Sequence, residues 1–230
     1  MFSNFTPAEW EAIFLSLKVG LTAVVFSFPF GLFFGWLLAR KTFPFKTALD
    51  AFLHLPMVVP TVVTGYILLI LFGKRGVLGA FLLKTFGFTF AFNWKGAALA
   101  SAVVAFPLMV RAIRLSMEAV NPGLESAART LGASKLRTFF TITLPLAFPG
   151  ILAGLVMAFA RSLGEFGSTI TFVSNTPGET RTLPLAIYSQ LQVPGGELAA
   201  ARLSIVSLLI AFGALFFSEY LARKKKRQIQ

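Results

Sequence analysis

Three polar residues, Ser162, Glu165 and Thr169, follow a long apolar run at spacings of i, i+3 and i+7. If the helix predicted for that run continues, the three side chains share one of its faces. An ionisable group in an apolar layer costs free energy, which makes it a candidate functional group. We therefore expect this face to line a polar path. The alternative is structural: Arg161, four residues before Glu165, pairs with the carboxylate and fixes the helix.

Two further hydroxyl groups lie in an earlier apolar run that contains Pro56 and Pro60. Proline frees backbone groups in a membrane helix, and neighbouring hydroxyls can satisfy them. Thr61 and Thr64 are three residues apart and face the same side, so they are candidates for the same path. The alternative is that each hydroxyl bonds to the backbone of its own helix.

The composition excludes most enzyme chemistry. The 230 residues include no cysteine and one histidine, His54, so neither a thiol nucleophile nor a metal site is expected. No G-x-x-x-x-G-K-[ST] phosphate loop is present, so we expect this chain to bind no ATP and no other cofactor. The net charge of +12 lies in loops and at the C-terminal end, between apolar runs, which argues against nucleic acid as a partner. The sequence predicts no catalytic residue.

The apolar runs are long enough to cross a membrane. Of all residues 56% are hydrophobic and 13% are charged, and the mean hydropathy is +0.78. A hydrocarbon layer about 30 Å thick needs about 20 apolar residues of helix. A shorter run, TLPLAIYSQL, is too brief to cross and is expected to be half-buried. The sequence therefore predicts one all-α, polytopic membrane domain, residues 1–230, with five spans at about 16–39, 50–73, 90–111, 141–162 and 198–221.

Basic residues predict the orientation of these spans. If the N-terminus is outside, the inner loops 40–46 and 111–137 and the C-terminal run 223–227 carry 13 of the 21 basic residues. Loops on the cytoplasmic side are enriched in lysine and arginine. We therefore predict an outside N-terminus and a cytoplasmic C-terminus.

The inner loop 118–137 contains its own short helix, in the segment NPGLESAARTLGAS. Asn121 and Pro122 favour a helix start, and Gly132 favours a stop. A helix of about ten residues is marginal alone in water, so its apolar face is suited to a groove on another protein. The alternative is a linker helix that packs on its own chain. The face is formed by Leu124, Ala127, Ala128 and Leu131.

This segment resembles the EAA loop of binding-protein-dependent ABC importer permeases, in which E-A-A, three residues, Gly, nine residues and I-x-L-P follow one another. The matching positions here are Ala127, Ala128, Gly132, Ile142, Leu144 and Pro145. The sequence departs at Ser126, and the acidic residue, Glu125, stands one position early. The resemblance implies that the loop is a coupling helix that docks on a cytoplasmic ATP-binding subunit.

Longer stretches, among them FARSLGEFGSTITFVSNTPGETRTLP and PGGELAAARL, resemble the permeases of bacterial molybdate importers. The SLGEFG block is also similar to sulfate permeases. The resemblance implies a type I ABC importer permease fold with five transmembrane helices, in the inner membrane. It also implies a homodimer, two cytoplasmic ATP-binding subunits that use the ATP, and an external molybdate-binding protein. A sulfate or tungstate permease, and a stand-alone secondary transporter, are the alternatives.

Overall fold

The computed structural model describes the backbone of residues 5–229 and the side chains of residues 5–221. This part of the chain is helical and contains no β-strand. One π-helical segment, Phe139–Thr143, joins α7 to α8. The helices are α1 (Pro7–Arg40), α2 (Lys46–Val58), α3 (Thr61–Phe72), α4 (Val77–Phe86), α5 (Trp94–Glu118), α6 (Pro122–Thr130), α7 (Lys135–Thr138), α8 (Leu144–Leu163), α9 (Gly167–Val173), α10 (Leu183–Leu191) and α11 (Glu197–Ile229).

Helix α1 begins at a capping box and is paired there with α11. The backbone N–H of Glu9 donates to Thr6 Oγ1 at 3.3 Å, and Thr6 N–H donates to Glu9 Oε2 at 2.7 Å. Arg202 Nη2 donates to Glu9 Oε1 at 2.9 Å, and Glu9 is only 2% exposed. This buried pair joins the first long helix to the last one.

Helix α5 lies at the centre of the bundle and packs against α1 and α8. Its residues Met109 and Ile113 are fully buried. A Cβ added at Gly31 of α1 would lie 2.7 Å from Met109 Sδ, and one added at Gly35 would lie 2.6 Å from Ile113 Cγ2. Glycine at these two positions therefore lets α1 and α5 approach closely, as small residues commonly do between membrane helices.

The second predicted span, residues 50–73, is not one straight helix. It divides into α2 and α3, whose axes meet at 109°. Pro60 has no N–H to donate and forces the preceding residue, Val59, into an extended conformation with ψ of 139°. Pro60 was expected inside one helix of this span, and that prediction was wrong because the proline ends the first helix and divides the candidate span into two.

The fourth apolar helix ends close to the predicted end of its span and does not continue to Thr169. The π-helical segment joins α7 and α8 into a run of 29 residues from Lys135 to Leu163. The helix stops there, and residues 164–166 are not helical. The prediction that one helix carries Ser162, Glu165 and Thr169 on a single face was therefore wrong. Gly164 directly after the last helical residue is a common stop signal.

Among the described residues, four helices are long and apolar enough to cross a membrane, and the bent α2–α3 pair is the fifth candidate. This agrees with the number of predicted spans, although the bounds differ. The third predicted span begins at Trp94 rather than at residue 90, because Asn93 caps α5. The short helix α4 was not predicted. The run TLPLAIYSQL does form a short helix, α10, with its leucines 183 and 185 buried.

Candidate functional site

Helix α6 has the caps that its sequence predicts. Asn121 Oδ1 accepts a hydrogen bond from Gly123 N–H at 2.8 Å. At the other end Gly132 has φ of +87°, and Ala133 N–H donates to Ala128 O at 3.0 Å. This is the glycine-dependent C-terminal motif in which the chain turns away from the helix axis. The helix is thus a separate element outside the bundle, between α5 and α7.

The apolar side chains of α6 are largely exposed within the described part of the chain. Leu131 is 88% exposed and Leu124 is 49% exposed. Ala127 is exposed as well, while Ala128 is half-buried. Two large apolar side chains at the same face of an otherwise polar helix indicate a contact surface. The alternative of a linker helix that buries this face against its own chain is not supported by these exposures.

Glu125 holds α6 against the bundle, a role that the sequence analysis left open. Arg40 Nη2 donates to Glu125 Oε1 at 2.8 Å, and Thr143 Oγ1 donates to the same oxygen at 2.7 Å. Arg40 also donates to the carbonyl of Val120 at 3.1 Å. The carboxylate therefore connects α6 to the end of α1 and to the π-helical segment that leads into α8. These partners are distant in sequence, and no local pattern indicated them.

We expect Glu125→Gln to loosen α6 from the bundle while the long helices stay intact. Hydrogen bonds to charged groups contribute about 1.5–3 kcal/mol. Loss of that free energy would speed amide hydrogen exchange across Pro122–Thr130 by roughly ten- to a hundredfold. The matched control is Glu118→Gln, because Glu118 pairs with Arg114 in a more exposed position. Equal exchange of α6 in both variants would contradict the connection.

A second polar feature fills the break between α8 and α9. Glu165 Oε1 accepts hydrogen bonds from the backbone N–H and the hydroxyl of Ser168, both at 2.9 Å. Glu165 Oε2 lies 2.8 Å from Arg161 Nη1, and Glu165 is 2% exposed. The carboxylate places negative charge at the positive end of α9. The structure thus contains the Arg161–Glu165 pair that the sequence analysis gave as the alternative.

The five predicted path residues lie on α3 and around the break between α8 and α9, and all except Thr61 are buried. Ser162 and Thr169 are buried, and their hydroxyls find no hydrogen-bond partner among the described residues. Thr61 lies directly against Gly167, where an added Cβ would meet its hydroxyl oxygen. Thr64 lines a cavity of about 640 Å³ between α1, α2, α3 and α5. Whether these residues line a path stays a prediction.

The structure also brings together charged residues that the sequence analysis did not combine. Arg114 Nη1 lies 2.8 Å from Asp50 Oδ2, and Arg114 Nε lies 2.8 Å from Glu118 Oε1. His54 Nδ1 lies 3.2 Å from Asp50 Oδ1. These contacts fix the start of α2 to the end of α5. The spacing of Asp50 and His54 at i, i+4 could have indicated their pairing on one helix. Arg114 is 64 residues from Asp50, so no local pattern indicates that contact.

These features define a helical bundle of the multi-pass membrane type. It combines membrane-length helices and a proline-bent pair with an exposed apolar helix outside the bundle. The chain belongs to the family of binding-protein-dependent transport system inner membrane components, whose model matches residues 28–227. It is a multi-pass protein of the inner membrane and a permease subunit of an ABC importer.

Individual relatives agree with this assignment. The chain is 63% identical over 218 residues to the molybdenum transport system permease protein ModB of Escherichia coli K12, with 95% of each chain covered. It is 37% identical over 209 residues to the sulfate transport system permease protein CysT of Salmonella typhimurium, with 90% of this chain and 75% of that protein covered. The fold is similar to that of a bacterial ABC transporter involved in the import of the acidic polysaccharide alginate, with a TM-score of 0.75 and 19% sequence identity. The match covers 96% of this chain and 80% of the other chain.

Proposed function

We propose that this chain is the membrane subunit through which an ABC importer moves molybdate into the cell. The relative at 63% identity over 95% of both chains is named for molybdenum transport, whereas the sulfate permease is 37% identical. This difference favours molybdate over sulfate. Tungstate, a similar tetrahedral dianion, is the closest chemical competitor.

The observation that carries the mechanism is the exposed apolar face of α6, held to the bundle through Glu125. We propose that Leu124, Ala127, Ala128 and Leu131 dock in a groove of a cytoplasmic ATP-binding subunit, with Gly132 ending the coupling helix. The chain supplies no phosphate loop, so that subunit binds and hydrolyses the ATP. Two copies of the chain with two ATP-binding subunits and an external molybdate-binding protein complete the proposed assembly.

The proposed orientation puts α6 in the cytoplasm and the start of α1 outside. The sequence supports it through the basic residues of the loops 40–46 and 111–137. The basic run 223–227, which supports it further, lies outside the residues whose side chains are described.

We propose Thr61 and Thr64 as lining residues of the path. Their support is their place just after the 109° bend, with Thr64 on the wall of a cavity of about 640 Å³. Ser162, Glu165 and Thr169 are buried inside one protomer. Their burial favours a structural role, in which they stabilise the break between α8 and α9. A path that releases its cargo should hold it weakly, so selectivity would belong mainly to the external binding protein.

Uptake of radiolabelled molybdate by proteoliposomes that contain the complete complex tests the proposal. We expect ATP-dependent accumulation that a tenfold excess of unlabelled molybdate or tungstate suppresses and that sulfate leaves nearly unchanged. The control is the same complex with an ATP-binding subunit that cannot hydrolyse ATP. Accumulation of sulfate in preference to molybdate would overturn the assignment of cargo, and accumulation without ATP would overturn the class of transporter.

A further inference from the structure

A cavity of about 250 Å³ lies between the end of α1, the coupling helix α6 and the α7–α8 segment. Trp36 and Phe139 form its apolar side, and their rings meet edge to face with centroids 6.3 Å apart. The volume is several times the roughly 30 Å³ that a water molecule occupies in the liquid. The cavity therefore has room for a small hydrated ion. Its charged lining consists of Arg40, Lys41, Glu125, Arg129 and Lys135.

The lining of this cavity is strongly positive. Four basic side chains surround one carboxylate, so the net charge is +3. The carboxylate of Glu125 is already engaged by Arg40 and by the hydroxyl of Thr143. The other three cations, Lys41, Arg129 and Lys135, are exposed, so water screens their mutual repulsion, and an anion between them would be attracted by all three.

Arg40 contributes a guanidinium group to the lining of the cavity. Its Nη2 donates to Glu125 and to the carbonyl of Val120, but its Nε is buried and makes no hydrogen bond within the described residues. A guanidinium carries five N–H donors, and these two bonds use only the donors of Nη2, so Arg40 keeps further donor capacity beside the cavity that it lines. The planar guanidinium suits the oxygens of a tetrahedral oxyanion especially well.

We propose that this cavity binds a tetrahedral oxyanion of the phosphate type, either the phosphate of an anionic phospholipid or a free ion from solution. Arg40 ends a helix of membrane length, and Trp36 lies one turn earlier, where tryptophan commonly marks the membrane interface. A lipid phosphate is therefore within reach of the site. Basic pockets between membrane helices are known to hold lipid head groups. The bound anion would bridge α1, α6 and the α7–α8 segment.

The test compares Lys41→Gln/Lys135→Gln with the matched control Lys46→Gln/Arg137→Gln, which removes the same charge from residues outside the cavity lining. The complete chain is placed in nanodiscs of phosphatidylcholine, with and without phosphatidylglycerol. Native mass spectrometry then counts the retained phosphatidylglycerol, and a thermal shift with inorganic phosphate measures binding of the free ion. We expect the cavity variant to bind its anion roughly thirtyfold more weakly than the control.

The outcomes identify the source of the anion. Phosphatidylglycerol held by the control and lost by the cavity variant assigns the site to lipid. If inorganic phosphate raises the thermal midpoint of the control but not that of the cavity variant, the site binds a free ion. Equal retention and equal shifts in both variants would overturn the site. Lys41→Arg/Lys135→Arg should restore binding, which separates loss of charge from loss of folding. The binding measurement does not depend on transport. A negative result there would therefore overturn the anion site without bearing on the proposed transport function.

Discussion

Leu131→Asp should abolish stable assembly with the ATP-binding subunit while the chain itself folds normally. Leu131 is 88% exposed, so the substitution removes little packing within the described chain. Burial of a leucine side chain contributes about 1.5–3 kcal/mol, and burial of an unpaired carboxylate in its place costs more. We therefore expect affinity for the ATP-binding subunit to fall by at least about tenfold, with loss of ATP-driven uptake. Co-purification in detergent and uptake in proteoliposomes measure the two effects.

Ser126→Asp is the matched control for this experiment. Ser126 is exposed on the same helix and points about 140° away from the direction of Leu131 at about 100° per residue. The substitution adds the same charge but leaves the apolar face of α6 intact. We expect it to keep the ATP-binding subunit bound. Equal losses in both variants would show that charge on the helix, rather than its apolar face, disturbs assembly.

Gly65→Ala should weaken the fold itself, because α3 and α9 touch at this glycine. An added Cβ would lie 2.6 Å from the carbonyl oxygen of Ser168 and 2.7 Å from its Cα. Both are backbone atoms, so α9 must move rather than one side chain. Overpacking of this kind costs about 1–3 kcal/mol. We expect a lower thermal midpoint for the purified chain and reduced uptake, measured by tryptophan fluorescence and by the molybdate assay.

Gly213→Ala provides the comparison within the same protein. Nothing lies within 4 Å of a Cβ added at this position in α11. Alanine is a better helix former than glycine by about 1 kcal/mol, so the thermal midpoint should stay constant or rise slightly. A loss equal to that of Gly65→Ala would show that the contact between α3 and α9 is not the cause.

Local signals account for what the sequence predicted correctly. The caps of α6 depend on neighbouring residues, Asn121 and Gly132, and the chain forms the motifs that these residues favour. The apolar runs predicted the long helices because their length alone matches a membrane. The chain is identified as an importer permease mainly through the residues of the EAA loop, which the family assignment supports.

Predictions failed where a proline or glycine outweighed the hydrophobic pattern around it. They also failed where interacting residues were far apart in sequence. The hydrophobic run across Pro60 suggested one span, yet the missing N–H and the restricted residue before it produced a 109° bend. Gly164 was taken as part of a helix, although glycine followed by an acidic residue and Ser168 also fits a stop and a new start. Glu125 bonds to Arg40, which is 85 residues away in sequence, and to Thr143, which is 18 residues away. Only the folded bundle brings these partners together.

The Glu9–Arg202 pair makes completion of the bundle depend on the last helix to be synthesised. The two residues are 193 positions apart, so the carboxylate of the first helix waits without its guanidinium until nearly the whole polypeptide has left the ribosome. Until then the carboxylate keeps only its capping-box bonds to Thr6, and removing one partner of a buried ion pair is destabilising. A chain that ends before Arg202 therefore lacks the ion pair that joins its first long helix to its last.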